Sequence, residues 1–539
     1  MGADWNFGDA LDAVAAVVPP DAPALIHGER IVTWREADKQ TNNLARGMIA
    51  RGAKPGDKVA FYMRNRPEYV LTLAAALKAR LTHVNVNYRY TPQEVWYIFD
   101  DSDAQTVVYS SEFREAITEI RPRLPKVKTW IEVSDTGEIA PFAEHFDKIA
   151  QDGNGAPLDI KRSGDDQLFI YTGGTTGMPK GVMWAHHDLR ELTVGPQRRL
   201  GPVPETPQAA AELLKAAGGI GPRVLPAPPL MHGTGLLTAF GAHIGGGSVI
   251  TLTSPSFDAT EMLVAIDKHK PVSLSIVGDS FAKPMLHALD AEPGKYDLSS
   301  VMLVTSSGVM WSVEVKRGLL KHMPRVILTD AFSSSEAIGM GTSIMTAAGE
   351  QPTAKFSIGE RCKVIDENDQ PIPPGSNTPG MVALAPPNPV GYYKDPEKTA
   401  RTFRVIDGVR YSIPGDFCLV GADGTLTLLG RGNACINTAG EKVFPEEVEE
   451  ALKTHPSIED ALVIGVPDEK WGQAITGVVQ LAADANLNEE ELRAHVRGKL
   501  ASYKTPKRVV LADVPLRASN GKADYKAARE SAERAMTQS

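Results

Sequence analysis

Residues 171–182, Tyr-Thr-Gly-Gly-Thr-Thr-Gly-Met-Pro-Lys-Gly-Val, carry the strongest chemical pattern in the chain. They follow the apolar run Leu168-Phe169-Ile170, so they read as a Gly/Thr-rich loop leaving a strand. Glycines let the backbone approach a ligand and turn N–H groups toward an anion; hydroxyls and one lysine complete a phosphate cradle. It is not a Walker A loop, because Lys180 is followed by Gly and the Gly-x4-Gly-Lys spacing is absent. A flexible surface loop would explain the glycines and threonines, but not the Pro-Lys-Gly-Val exit.

A second candidate is Asp330-Ala331-Phe332-Ser333-Ser334-Ser335-Glu336, directly after the apolar run 326–328. A strand-to-helix turn there would offer N–H groups, and its carboxylate could hold a cation beside a phosphate. The same residues have a purely structural reading, since Ser333 and Glu336 have the Ser-x-x-Glu spacing of a capping box. Ser306-Ser307-Gly308-Val309 ends another apolar run, 301–304, and is equally readable as a strand-end turn or as part of a site. Pro229-Leu230-Met231-His232-Gly233 supplies one histidine as a binding candidate. Asp416 closes Tyr411-Ser412-Ile413-Pro414-Gly415-Asp416, and Arg431 follows fifteen positions later. A carboxylate can accept from both ribose hydroxyls, which nucleoside sites repeatedly need. Near the end of the chain, Asn520-Gly521-Lys522 is a turn signal carrying a lysine.

In this order the segments resemble the motifs of the adenylate-forming superfamily: acyl-CoA synthetases, peptide-synthetase adenylation domains and luciferases. The likeness extends over nearly the whole chain. It implies that Thr172, Gly173, Gly174, Thr175, Thr176, Gly177 and Lys180 hold ATP phosphates. It assigns Asp330, Phe332 and Ser335 to the nucleotide, and Glu336, with Thr172, to Mg2+; Ser333 stands where relatives usually have Gly. By the same likeness Ser307 and Gly308 line the adenine and acyl pocket, His232 lies beside the substrate carboxylate, and Asp416 and Arg431 hold the ribose. Asn433 takes the hinge position, where relatives usually carry Asp or Lys. Gly440, Glu441 and Lys442 fall in the loop that enters the site for thioester formation, and Lys522 becomes the lysine that reaches in for adenylation.

Segments 172–174, 277–285 (Val-Gly-Asp-Ser-Phe-Ala-Lys-Pro-Met) and 436–438 look most like bacterial fatty-acid and sterol-side-chain acyl-CoA synthetases. The implied activity is ATP-dependent activation of a hydrophobic acid, fatty or bulky alicyclic, through an acyl-adenylate to an acyl-CoA thioester. AMP and pyrophosphate would be released, with ATP, Mg2+ and coenzyme A required. Two alternatives stay open: a fatty acyl-AMP ligase delivering to a carrier protein, and a non-catalytic nucleotide- or acyl-binding protein. The intact set Lys180, Glu336, Asp416, Arg431 and Lys522 speaks against the second. A homodimer is a family expectation.

The elements that must position these residues are legible as α/β architecture. Helical periodicity at 44–49, 70–78 and 261–268 alternates with buried strand signals at 59–62, 106–109, 249–252 and 326–328. The texture from 359 to 429 changes to short strands and frequent turns, a small β subdomain. Beyond it come a helix at 445–453, strands at 461–464 and 476–481, a helix at 489–499 and a basic tail. The predicted fold is thus a large N-terminal domain of doubly wound sheets with a β subdomain, residues 1–431. A small, mobile α+β domain follows, residues 432–539.

Composition sets the outer bounds. The 539 residues carry 57 basic and 66 acidic side chains, a net charge of −9, which argues against bulk nucleic-acid binding. Within 499–539, however, nine Lys/Arg face four Asp/Glu, a tail that could gather ATP or CoA phosphates or form a solvated face. Cys362, Cys418 and Cys435 are odd in number and lack metal-ligand spacing, so neither a disulfide scaffold nor a zinc site is predicted. The longest apolar stretch, 235–252, contains His243 and a glycine run and reads as helix, turn and strand rather than a membrane span. No targeting signal is visible, so the expectation is a cytoplasmic protein without integral membrane association.

Overall fold

The computed structural model describes residues 4–172, 178–195, 197–199, 201–309, 311–349, 355–431, 436–438, 441–468, 472–483, 485–486, 488–500, 502–518 and 521–537. These residues form four sheets. The first has eight strands, in the spatial order Gly341–Met345, Ile327–Phe332, Leu303–Ser307, Ser273–Ile276, Arg223–Pro226, Ser248–Thr251, Pro23–His27, Arg30–Thr33. Its interior neighbours are parallel, and each edge is closed by an antiparallel pair. The second eight-stranded sheet runs Gly391–Tyr392, Lys180–Ala185, Gln167–Thr172, Thr82–Asn85, Lys58–Tyr62, Ala104–Ser110, Thr129–Val133, Glu144–His145.

A helix that is apolar on every side has to be covered on every side. Pro67–Lys78 meets that condition: all 12 of its residues are buried, and it touches strands of both eight-stranded sheets. One core accordingly joins Leu25 and Val249 of the first sheet to Phe61, Leu168 and Ile170 of the second. The helices predicted around 44–49 and 261–268 are Trp34–Ala50 and Ala259–His269. The stretch 235–252 is the helix Gly233–Ile244 followed by the strand Ser248–Thr251.

The third sheet has seven strands, antiparallel throughout its pairings, drawn from residues 355–431. Beyond it, a five-stranded sheet is built on the long antiparallel pair Ile458–Asp468 and Gly472–Leu481. Strand side chains alternate between faces. Ala461 and Val463 pack under the helices Pro445–Lys453 and Glu489–Lys499, while Leu462, Ile464 and Val466 pack under Ala528 and Ala532 of Tyr525–Thr537.

Two expectations change here. The basic tail is folded, into the strand Arg508–Leu511 and the helix Tyr525–Thr537. Several of its cations are paired internally: Lys504 with Glu447 at 2.5 Å, Arg517 with Asp460 at 2.7 Å and Arg534 with Asp513 at 2.7 Å. Residues 330–336 are also not a strand-to-helix turn, because the next element is the antiparallel strand Gly341–Met345. With no helix to cap, Ser333 Oγ instead accepts from the Gly339 N–H at 3.0 Å.

Candidate active site

Glu336 sits in the turn between Ile327–Phe332 and Gly341–Met345 and is only 7 % exposed. Three long-range hydrogen bonds hold it. Tyr392 Oη donates to Glu336 Oε1 at 2.7 Å, Ser412 Oγ donates to the Glu336 carbonyl at 2.6 Å, and Trp184 Nε1 donates to the neighbouring Ser335 carbonyl at 2.9 Å. These donors come from the second and third sheets, so the turn of the first sheet is clamped where all three meet. A hydrogen bond into an ionised carboxylate is among the stronger neutral-donor contacts a protein makes.

Thr172 and Lys180 end the antiparallel pair Gln167–Thr172 and Lys180–Ala185 and lie opposite one another in its register. Gly173 to Gly177 lie outside the described residues, but both ends of the loop are placed. Lys180 Nζ is 3.8 Å from Asp101, which also accepts from Tyr171 Oη at 2.9 Å. Burial works against the ammonium charge of Lys180, yet Tyr97 and Asp101 outweigh it and raise its pKa above the ordinary value.

Asn85 ties this hairpin to the His232 segment. Its Oδ1 accepts from the Tyr171 N–H at 2.6 Å, and its Nδ2 donates to the Tyr171 and Met231 carbonyls at 2.9 and 2.7 Å. His232 is the residue before the helix Gly233–Ile244. Burial, the nearby Lys522 charge and then Arg89 push its pKa down to about 3, so the imidazole is neutral at ordinary pH.

The other nucleotide candidates divide into two groups. Ser307 and Gly308 end the strand Leu303–Ser307, with Ser307 Oγ donating to the Ala331 carbonyl at 2.8 Å. Asp416 and Arg431 are direct partners across the antiparallel pair Asp416–Val420 and Leu426–Arg431. Asp330 and Phe332, by contrast, are buried on the other face of their strand from Ala331. Asp330 lies 3.6 Å from the buried Lys316 and, through burial, is raised to about 6 despite that lysine; Phe332 packs on Phe356. In this arrangement the two side chains face the interior, and the strand's backbone and Ala331 lie on the opposite side. Asn433 and Gly440, and the side chains of Arg431, Glu441 and Lys442, lie outside the described residues.

Lys522 comes from the far end of the chain. Its turn is closed by Ala518 N–H to the Lys522 carbonyl at 2.9 Å and Gly521 N–H to the Ala518 carbonyl at 2.8 Å. It stands exposed, close enough to His232 for its charge to be the second-largest influence on that imidazole. Sequence reasoning missed Asn85, Arg89, Tyr392, Ser412 and Trp184; none belongs to a local pattern that marks a site.

The sequence matches the AMP-binding enzyme family over residues 11–393 and the AMP-binding enzyme C-terminal domain over residues 447–522. The chain belongs to the AMP-binding enzyme family. It is 40 % identical over 549 residues to a medium/long-chain-fatty-acid–CoA/3-oxocholest-4-en-26-oate–CoA ligase of Mycobacterium marinum, covering 99 % of this chain and 98 % of that one. A 3-oxocholest-4-en-26-oate–CoA ligase of Rhodococcus rhodochrous is also 40 % identical, over 97 % of this chain and 95 % of its own. The family's fold is met in the crystal structure of the anthranilate CoA ligase AuaEII with anthranoyl-AMP, at a TM-score of 0.81 and 21 % identity, covering 100 % of this chain and 99 % of that one. Among the described residues no helix is long and apolar enough to cross a membrane.

Proposed function

We propose that this chain is an acid–thiol ligase that converts a hydrophobic carboxylic acid, fatty or bulky alicyclic, to its acyl-CoA thioester through an acyl-adenylate. Family membership and two near-full-length relatives that are fatty-acid or steroid-acid CoA ligases support the reaction class. The observation that carries the site reading is the docking of the turn that carries Lys522, where Ser280 Oγ donates to the Gly521 carbonyl at 3.0 Å, on the side of the molecule where the Lys522 charge acts on the buried His232. We divide the chain functionally at residues 1–431 and 432–539, with Asn433 as the hinge.

The chemical difficulty is bringing a carboxylate onto the α-phosphate of ATP. At about 4 Å and an effective dielectric near 20, one uncompensated unit-charge repulsion costs about 4 kcal/mol, roughly a thousandfold in rate. Lys522 supplies the neutralising cation at the reacting end, and Lys180 with the loop that follows Thr172 supplies it along the phosphates. His232, held neutral, borders the carboxylate without adding charge or demanding a proton. The attacking carboxylate is already ionised, so no general base is required. Asp416 and Arg431 orient the ribose, while Ser307 and Gly308 border the base.

Glu336, with Thr172 in support, is the residue we assign to Mg2+. Its buried carboxylate is a hard oxygen donor fixed through Oε1 by Tyr392, and Mg2+ is commonly held by one or two carboxylates together with substrate phosphates. When bound, the ion would draw charge from the phosphate oxygens. Thioester formation then requires Lys522 to leave and the 440–442 loop to take its place. The free, buried thiols of Cys362 and Cys418, both with raised pKa, suit a reducing cytoplasm.

The test is pyrophosphate release with ATP and Mg2+ over a panel of fatty, aromatic and steroid-side-chain acids, with and without CoA, with acyl-CoA identified by mass. CoA-dependent turnover is predicted. Pyrophosphate stopping near one equivalent regardless of CoA would replace this reading with an acyl-AMP ligase. ATP binding without pyrophosphate from any acid would replace it with a binding protein.

A further inference from the structure

We propose that Ser280 and Lys283, on the first turns of the helix Asp279–Ala291, are positioning residues that latch Lys522 against His232. This rests on the adenylation role assigned above to Lys522. Ser280 Oγ donates to the Gly521 carbonyl at 3.0 Å, immediately before the lysine. One helical turn later, Lys283 Nζ donates to the Glu459 carbonyl at 2.7 Å and lies 3.5 Å from its carboxylate. Residues three apart share a helix face, so both side chains reach the same partner surface.

That surface is one rigid unit. Arg517 grips Asp460, next to Glu459, through two contacts of 2.7 and 2.8 Å, and residues 517 and 523 bridge across the turn that carries Lys522. Holding Glu459 and Gly521 therefore holds the lysine between them. Gly521 has φ +79, and a Cβ there would lie 2.9 Å from Ser280 Cβ, so the close approach requires glycine on both counts.

The latch helix is itself anchored to the nucleotide side. The Gly278 N–H donates to Ser306 Oγ at 2.8 Å, and Asp279 accepts from the Ser312 N–H at 2.9 Å and from its hydroxyl at 3.1 Å. Ser306 precedes Ser307 on the same strand, and Gly308 follows its end. The position of Lys522 is thereby registered to the strand that borders the base. Two modest polar contacts also suit an arrangement that must open once per turnover. The segment 277–285, which marks the chain's likeness to particular ligases, thus acquires a mechanical role.

The two half-reactions separate this role from a general structural one. Pyrophosphate exchange is measured with dodecanoate, ATP and Mg2+ without CoA; thioester formation is measured from supplied dodecanoyl-adenylate and CoA. Both are run on the full chain, the Ser280→Ala/Lys283→Ala double variant and Lys283→Arg. The double variant should lose about tenfold in exchange, as expected for two polar contacts, and keep thioester formation within about twofold, while Lys283→Arg, which keeps a cationic donor at that position, should retain most of the exchange activity. Hydrogen–deuterium exchange, which needs no activity, should quicken at 515–518 and 521–523 in the double variant. Unchanged protection there, or equal losses in both half-reactions, overturns the latch. If the unmodified chain exchanges no pyrophosphate with any acid of the panel, the functional reading fails, while deuterium exchange still decides whether the contact exists.

Discussion

Replacing Tyr392 by Phe removes one oxygen from the support of Glu336. The lost contact is a 2.7 Å hydrogen bond into a carboxylate that is 7 % exposed. The ring itself should stay, since it packs on Phe403 at 5.9 Å and carries Lys398 at 4.2 Å from its centroid. Hydrogen bonds to charged groups contribute about 1.5–3 kcal/mol, so the variant should be destabilised by about 2 kcal/mol. If the whole of that loss were felt in the adenylation transition state, the rate would fall about thirtyfold. Saturating Mg2+ and ATP should recover part of the stability, because a cation on the carboxylate replaces the missing donor. Urea unfolding with and without Mg2+ and ATP reads the first effect. Pyrophosphate exchange as a function of Mg2+ concentration reads the second, with half-saturation moved upward. Stability within about 0.5 kcal/mol of the unmodified chain, together with an unchanged Mg2+ dependence, would refute this account of Tyr392.

Acid should destabilise the fold through its buried histidines. His83 and His186 are lowered to about 4, and His232 and His243 to about 3, in each case chiefly by burial. The unfolded chain takes up protons near pH 6.5 that the folded chain refuses, so stability falls as pH drops from about 6.5 toward 4. Asp330, raised to about 6 by burial, works the other way, since its ionisation destabilises the fold as pH rises through that value. Four imidazoles against one carboxyl leave a net loss on the order of 6 kcal/mol between pH 7 and pH 5, and urea midpoints at the two values check it; a flat profile would contradict it. Asn85→Ala should cost about 3 kcal/mol, because three backbone groups at Tyr171 and Met231 lose their partner. The same variant should weaken ATP binding, measured by calorimetry, and a loss below about 1 kcal/mol with unchanged affinity would show that the hairpin is held by other means.

What the sequence reveals about this site is the part we assign to ligand binding. Thr172, Lys180, Glu336, Asp416, Arg431 and Lys522 stand in short segments whose glycines, hydroxyls and charges have no simpler use in combination. The opposition of Asp416 and Arg431 across one strand pair is geometry that their order in the chain already hinted at. The supports are silent because their partners are remote. Tyr392 lies 56 positions from Glu336, and Asn85 lies 86 from Tyr171 and 146 from Met231. An isolated Tyr or Asn carries no local signal of such a bond.

Two misreadings have the same origin in local pattern. Ser333 and Glu336 have the spacing of a helix cap, but the spacing says nothing about whether a helix follows, and the antiparallel strand Gly341–Met345 follows instead. The helix Tyr525–Thr537 buries mainly Ala528 and Ala532, so its apolar stripe is too slight to stand out among the surrounding charges. Its neighbours become legible only once Asp460, Glu447 and Asp513 are seen to neutralise the nearby cations.

The central claim is that Lys522 serves adenylation and not the step that follows. Single-turnover formation of acyl-adenylate, and thioester formation from supplied acyl-adenylate and CoA, should be measured side by side for the full chain and Lys522→Ala. The account predicts a fall in the first of about a thousandfold, the value of one unit charge at the reacting centre. The second should change by no more than a few-fold. Equal losses in both steps, or adenylation that survives the substitution, would contradict it.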